Sequence, residues 1–126
     1  MNILDKIVNQ IKIDLLEQKN KYPFEMMNKE IDYDYKSQSL RKSLNQDGLS
    51  IIAEIKDTSP SKGKLMQNID FISLAKQYFE ADVSGISVVT EKNFFNGSIN
   101  SISKLKSIDE YNLTPVLRKD FIIDEY

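Results

Sequence analysis

The sequence predicts an α/β fold built on a parallel sheet, and three observations predict it. Short apolar runs that are typical of strands recur at residues 50–56, 85–90 and 115–119. Amphipathic segments of helical periodicity lie between them, and strands that alternate with helices form βαβ units with parallel strands. The strands follow one another at intervals of about 30–35 residues, as βαβ units require.

The chain begins with an amphipathic helix that we predict over residues 3–19. Its apolar positions recur every four residues, at Ile3, Ile7, Ile11 and Leu15. Such a stripe is one face of a helix. The opposite face is not strongly basic, so the stripe is expected to cover the sheet rather than bind a membrane. Pro23 interrupts the next stretch, and a short helix is predicted over residues 37–44.

The later elements follow from capping and turn residues. A helix is expected at about residues 70–81, where Asp70 is a suitable N-cap. A second helix is expected after Ser98, which can cap it. Pro115 suits only the first position of the third strand. We therefore divide the chain into an N-terminal helical extension, residues 1–49, and a part built of strands and helices, residues 50–126.

Composition excludes several classes of protein. The 126 residues carry 17 Lys and Arg against 19 Asp and Glu, a net charge of −2. They form no basic stripe and no long apolar run, which argues against nucleic acid and membrane as partners. Cys is absent, which excludes disulfides and thiolate catalysis and suits the cytoplasm. His is absent too, so acid–base chemistry has to use Lys, Glu, Asp or Tyr.

Charged residues end two of the apolar strands. Glu54 and Lys56 share a face with Ile52 because side chains alternate along a strand, and Lys119 ends the third strand in the same way. In a (β/α)8 barrel, alternate strands supply one interior layer, and active sites lie at the carboxyl ends of the strands. We expect Glu54, Lys56 and Lys119 to form one site in which a lysine acts as general acid. The alternative is a set of structural ion pairs.

Loops after the strands supply further candidates. Residues 59–63, Ser-Pro-Ser-Lys-Gly, form either a polar loop that meets a phosphate or carboxylate, or an ordinary turn. Phe95 and Phe121 either wall an aromatic ligand or pack loop against sheet. Glu91 is expected to stabilise its loop, and Ser87 to lie in the interior rather than act as a nucleophile.

Five runs of residues in three regions of the chain form a recognisable set. They are Ile-Ala-Glu-Ile-Lys at 52–56 with Ser-Pro-Ser-Lys-Gly at 59–63, then Ile-Ser-Val-Val-Thr-Glu at 86–91 with Phe-Asn-Gly-Ser at 95–98, and Pro-Val-Leu-Arg-Lys-Asp-Phe-Ile-Ile-Asp at 115–124. Together they resemble the indole-3-glycerol phosphate synthase family. The resemblance implies a (β/α)8 TIM barrel, of which this chain holds an N-terminal helical extension and about the first three β/α units.

The resemblance also implies an activity. It is that of a carbon–carbon lyase of tryptophan biosynthesis, which closes the ring of 1-(2-carboxyphenylamino)-1-deoxyribulose 5-phosphate with loss of CO2 and water. No metal or organic cofactor is implied. Lys119 resembles the general acid, Lys56 the lysine that meets the substrate carboxylate, and Glu54 the acidic residue that orients it. The substrate contacts implied are Ser61, Phe95 and Phe121.

The family's enzymes are considerably longer, so we expect further catalytic residues and the phosphate-binding loops beyond Tyr126. A protein of these 126 residues alone is then expected to be inactive. A second interpretation is a non-catalytic half-barrel that associates with itself or with a complementary fragment through exposed strand edges. A third is another phosphosugar barrel enzyme, such as the isomerase of the preceding pathway step, which would not need the Glu54, Lys56 and Lys119 set.

Overall fold

A computed structural model describes residues 1–56, 58–59, 63–64, 70–109 and 113–126, the side chains of 58, 59 and 64 aside. The helices are α1 (Ile3–Lys21), α2 (Phe24–Glu30), α3 (Leu40–Leu44), α4 (Phe71–Glu80) and α5 (Asn100–Ile108). The strands are β1 (Ile52–Ile55), β2 (Thr58–Ser59), β3 (Gly63–Lys64), β4 (Gly85–Val89) and β5 (Val116–Lys119). The chain forms two compact units, Met1–Lys36 with Phe121–Tyr126, and Ser37–Asp120. The boundary after residue 49, between an N-terminal helical extension and the part built of strands and helices, stays a prediction.

The larger unit is built on a parallel sheet of β1, β4 and β5, with β4 in the centre. Glu54 lies opposite Ser87 on β4, and Ser87 lies opposite Leu117 on β5. Helix α4 connects β1 to β4, and α5 connects β4 to β5. The predicted parallel α/β arrangement is therefore confirmed.

The core lies between one face of this sheet and the two connecting helices. Ile55, Ile86 and Val88 project from the strands and are buried with Ala75 of α4 and Leu105 of α5. Helix α4 starts where the sequence predicts, because the Asp70 carboxylate accepts a hydrogen bond of 3.1 Å from the Ser73 N–H.

The other face of the sheet is only partly covered in the described part of the chain. All five residues of β4 are buried, but the side of Ile52 and Leu117 is open, and these residues are 42% and 41% exposed. The apolar run of the first strand is therefore not buried on both of its faces here. The physical reason is position, since β1 is an outer strand and the helices pack on the opposite face.

Two local details differ from the sequence-based expectation. Strands β2 and β3 pair antiparallel, with Thr58 opposite Lys64, in the stretch where the sequence predicts either a polar loop or an ordinary turn. Helix α5 has Ile99 at its N-cap position, and the Ser98 hydroxyl accepts from the Asn100 N–H over 3.2 Å. The sequence predicts Ser98 as the N-cap of this helix. In the structure Ser98 lies one residue before the N-cap and stabilises the first turn from there.

The smaller unit contains α1, α2 and residues 121–126. The helix predicted over 3–19 extends to Lys21 and begins with a capping box formed by Asn2 and Asp5. Near the end of α1, the Lys19 ammonium lies 2.7 Å from an Asp124 carboxylate oxygen. The hydrogen bonds that this carboxylate accepts from Lys19 and from the Tyr126 N–H hold the pKa of Asp124 below its ordinary value. Among the described residues, no helix is both long and apolar enough to cross a membrane.

Candidate functional site

The Glu54 carboxylate joins side chains from all three parallel strands. Its Oε2 accepts a hydrogen bond of 2.9 Å from the Lys119 Nζ on β5 and one of 3.1 Å from the Ser87 hydroxyl on β4. Its Oε1 lies 3.6 Å from the Lys56 Nζ, directly after β1. Glu54, Lys56 and Lys119 therefore meet at the carboxyl ends of the strands, as the sequence predicts.

The strand register explains this convergence. Residues that lie opposite each other on parallel strands point to the same side of the sheet, so Glu54, Ser87 and Leu117 share one face. Lys119 lies on that face two residues beyond Leu117, opposite Val89. The flexible stem of a lysine is long enough to reach back from there to Glu54.

The electrostatics of the cluster favour an ionised Glu54. Partial burial opposes the charge, but hydrogen bonds from Lys119 and Ser87 and the positive charges of Lys119 and Lys56 outweigh it. Together they hold the pKa of Glu54 below its ordinary value. The side chain of Lys119 is still 58% exposed. The cluster thus presents an excess of one positive charge and an accessible ammonium, a combination that suits an anionic ligand.

The loop after β4 is organised by a second carboxylate. Glu91 is buried and accepts hydrogen bonds from the backbone N–H groups of Asn93, Phe94 and Phe95, over 2.9, 2.7 and 3.0 Å. The Gly97 N–H closes the turn by donating to the Glu91 carbonyl over 2.8 Å. Glu91 therefore stabilises its loop, as expected, and fixes the backbone of Phe95.

A polar cluster at the ends of β4 and β5 was missed by the sequence reasoning. The Thr90 hydroxyl, the Asp120 carboxylate and the Arg118 guanidinium are joined by hydrogen bonds. The available signal was polar residues ending two successive strands, but their contact depends on the register between those strands.

The substrate contacts implied by the resemblance are less defined. Ser61 lies outside the described residues, and Phe121 belongs to the smaller unit. Phe95 is half-buried in the loop that Glu91 organises. The roles of these three residues stay predictions. In the described part of the chain, no group of three or more acidic side chains is arranged to hold a metal ion.

Comparison with known proteins identifies the family. The family model for indole-3-glycerol phosphate synthase matches residues 4–126. An indole-3-glycerol phosphate synthase of Thermoanaerobacter sp. is 44% identical over 98% of this chain and 46% of its own length. Those of Campylobacter curvus and Campylobacter jejuni are 40% and 39% identical over 98% of this chain and 48% of their own lengths.

The chain thus spans about half the length of the relatives that it matches. Its parallel sheet with connecting helices agrees with a part of the (β/α)8 barrel of these enzymes. From the match over residues 4–126 and the identities of 39–44%, the chain belongs to the indole-3-glycerol phosphate synthase family.

Proposed function

We propose that this chain supplies the first part of the barrel of an indole-3-glycerol phosphate synthase, a carbon–carbon lyase of tryptophan biosynthesis. The substrate is 1-(2-carboxyphenylamino)-1-deoxyribulose 5-phosphate, and the reaction closes the indole ring with loss of CO2 and water. The observation that carries the proposal is the cluster of Glu54, Lys56 and Lys119 at the carboxyl ends of parallel strands, where barrel enzymes place their active sites.

Lys119 is the general acid in this proposal. It protonates the substrate carbonyl during ring closure and assists the departure of the oxygen as water. Its ammonium is accessible and is held 2.9 Å from a carboxylate that keeps it oriented. A lysine ammonium is a chemically suitable proton donor here.

Lys56 binds the carboxylate of the anthranilate part of the substrate, and Glu54 positions both lysines. The excess positive charge of the cluster favours a ligand that carries a carboxylate and a phosphate. Ser61, Phe95 and Phe121 are proposed as additional contacts, the two phenylalanines on the aromatic ring.

A protein of these 126 residues alone is expected to be inactive. The cluster offers an acid and a carboxylate site, and barrels of this kind bind phosphate with loops of their last strands. The cytoplasmic localisation expected from the sequence stays a prediction.

The roles are tested in a completed chain, residues 1–126 joined to the remaining C-terminal part of the Thermoanaerobacter synthase. Lys119→Ala is expected to lower the turnover number by about 10²–10⁴-fold, the usual contribution of a general acid, while substrate binding stays measurable. Lys76→Ala, on the exposed side of α4, is the matched control and should keep normal turnover. Near-normal turnover of Lys119→Ala would remove this residue as general acid. A completed chain that forms no indole-3-glycerol phosphate would contradict the proposed function.

Lys56→Ala separates the second role from the first. This variant is expected to weaken substrate affinity as well as rate, because it removes a charged contact made in the ground state. Fluorescence titration with a non-reactive N-aryl aminosugar phosphate measures the affinity directly. An unchanged dissociation constant would refute the proposed contact between Lys56 and the substrate carboxylate.

A non-catalytic half-barrel is the second candidate. The open sheet face with Ile52 and Leu117 favours it, since such a surface associates readily. Activity of the completed chain separates the two candidates.

A further inference from the structure

Three polar side chains meet beside Lys119, and we refer to Thr90, Arg118 and Asp120 as the Thr90 clamp. The Thr90 hydroxyl donates to Asp120 Oδ2 over 2.6 Å and accepts from Arg118 Nε over 3.2 Å. Arg118 Nη2 donates to the same Asp120 oxygen over 3.1 Å. Thr90 is only 4% exposed. A hydroxyl that both donates and accepts in such a buried place has a defined orientation.

Two residues of the Thr90 clamp flank Lys119 in the sequence. Arg118 and Asp120 are its two sequence neighbours, and the Thr90 N–H also donates to the Lys119 carbonyl over 3.0 Å. Thr90 therefore contacts three successive residues at the end of β5. Arg118 points to the face opposite Lys119, because side chains alternate along a strand. The clamp thus fixes the backbone of Lys119 without competing for its ammonium.

Charge supports the same interpretation. The Arg118 guanidinium and the Asp120 carboxylate balance each other, so the clamp adds no net charge to the neighbouring cluster around Glu54. Removal of the Thr90 hydroxyl would leave an oxygen of the partly buried Asp120 carboxylate and an Arg118 guanidinium N–H without one of their partners. The strand end would then rearrange to recover hydrogen bonds, and the Lys119 side chain would move with it.

We propose that Thr90 is a positioning residue, which holds the backbone on both sides of Lys119 so that its ammonium meets Glu54 and the substrate in a fixed place. The inference rests on the proposed function, in which Lys119 is the general acid. A small displacement of a catalytic group lowers the rate of the chemical step more than it lowers substrate binding.

Kinetics of the completed chain test the proposal through Thr90→Val, Thr90→Ser and Thr114→Val. Thr90→Val is expected to lower kcat by about 10- to 100-fold and to change KM by less than about twofold. Thr90→Ser keeps the hydroxyl and should restore kcat to within about threefold. Thr114 precedes β5 at its other end, so Thr114→Val is the control and should keep normal kcat. An unchanged kcat in Thr90→Val, or an equal loss in Thr90→Ser, would overturn the proposal.

A spectroscopic measurement keeps this inference separate from the proposed function. The ¹³Cε signal of Lys119, assigned by its loss in Lys119→Arg, reports the surroundings of the ammonium whether or not the protein is active. We expect it to move in Thr90→Val and to stay at its native position in Thr90→Ser and Thr114→Val. An unmoved signal in folded Thr90→Val overturns the positioning role. If the unsubstituted completed chain forms no product, the proposed function fails, and this signal alone decides the role of Thr90.

A second substitution covers the case in which Thr90→Val does not fold. Arg118→Lys keeps the positive charge and removes the contact from Nε to Thr90, at a side chain that is about half exposed and therefore tolerant of change. It should lower kcat in the same direction as Thr90→Val and move the Lys119 signal. A native signal together with a native kcat would overturn the proposal.

Discussion

The Glu54 carboxylate is shared by two lysines and a serine, and its negative charge holds the two ammonium groups near it. A neutral Glu54 would give up the charge that attracts Lys56 and Lys119 and would leave two ammonium groups close to each other. The lowered pKa of Glu54 therefore also affects the free energy of unfolding. Any difference in pKa between the folded and the unfolded chain makes this free energy depend on pH.

We predict that this contribution to stability is lost in acid. The pKa of Glu54 in the folded protein lies below its ordinary value of 4.5, so the contribution is complete above that value and disappears as the pH falls through the folded value. Near neutral pH, the free energy of unfolding should be about 1 kcal/mol lower in Glu54→Gln than in the unsubstituted protein. Urea unfolding at a series of pH values should show this difference shrinking as the solution becomes acidic.

The control is Glu17→Gln, which removes an exposed ion pair with Lys21 one turn away on α1. Its effect should stay at a few tenths of a kcal/mol, the usual size of about 0.3 for such helical pairs. A Glu54→Gln difference that is the same at neutral and acid pH would contradict the assigned role of the charge.

The sequence predicts some contacts of this site and does not predict others. The alternation of side chains places Glu54 and Lys56 on one face, and the geometry of a (β/α)8 barrel, in which alternate strands supply one interior layer, predicts their association with Lys119. The hydrogen bond from Ser87 and the Thr90 clamp were not predicted, because both depend on the register between neighbouring strands. The register between two strands depends on how the apolar patterns of both strands pack together, which the sequence of one strand does not specify.

At the scale of elements, the connection from β4 to α5 has no room for a side chain at Gly97. A Cβ built on Gly97 would lie 2.5 Å from the Val89 carbonyl oxygen and 2.7 Å from the Thr90 carbonyl carbon. Both are backbone atoms at the end of the central strand, and neither can move without disturbing β4. The loop that Glu91 organises is thereby packed directly against the strand end that carries Thr90.

We predict that Gly97→Ala destabilises the protein by about 2 kcal/mol or more, the cost of forcing an extra carbon into a packed place. Gly85→Ala is the matched control. Its Cβ would also meet an atom at 2.5 Å, but that atom is the Leu40 Cδ1 at the end of a flexible side chain. Thermal unfolding of the two variants measures the difference, and an equal loss at both positions would contradict the argument.

The elements themselves were largely predictable because each has a local signature. Asp70 predicted the start of α4, and apolar periodicity predicted α1 and the parallel strands. The hairpin of β2 and β3 was missed because two-residue strands are too short to show alternation, and Ser, Pro and Gly nearby are turn residues. The composition of β1 does not show that its Ile52 side is open, because burial depends on which other elements pack against a strand.

At the scale of the larger unit, the parallel sheet is covered on one face and has two outer strands. In the described part of the chain, β1 and β5 each pair with β4 alone. The face of Ile52 and Leu117 is open, while α4 and α5 cover the other face. Parallel sheets are normally covered on both faces, and unpaired outer strands are sites of association.

We therefore predict that a polypeptide of these 126 residues associates with itself through this face and the outer strands. Sedimentation velocity over about a hundredfold range of concentration should show species larger than the monomer that increase with concentration. The double variant Ile52→Thr with Leu117→Gln should shift the protein towards the monomer, because it removes apolar side chains from the open face. Leu49→Gln, at an exposed residue before β1, is the control and should leave the distribution unchanged. The C-terminal part of a family barrel, added in equal amount, should replace self-association by a complex of one copy of each. A folded monomer at all concentrations would contradict the prediction and would mean that the open face is stable in water without a partner.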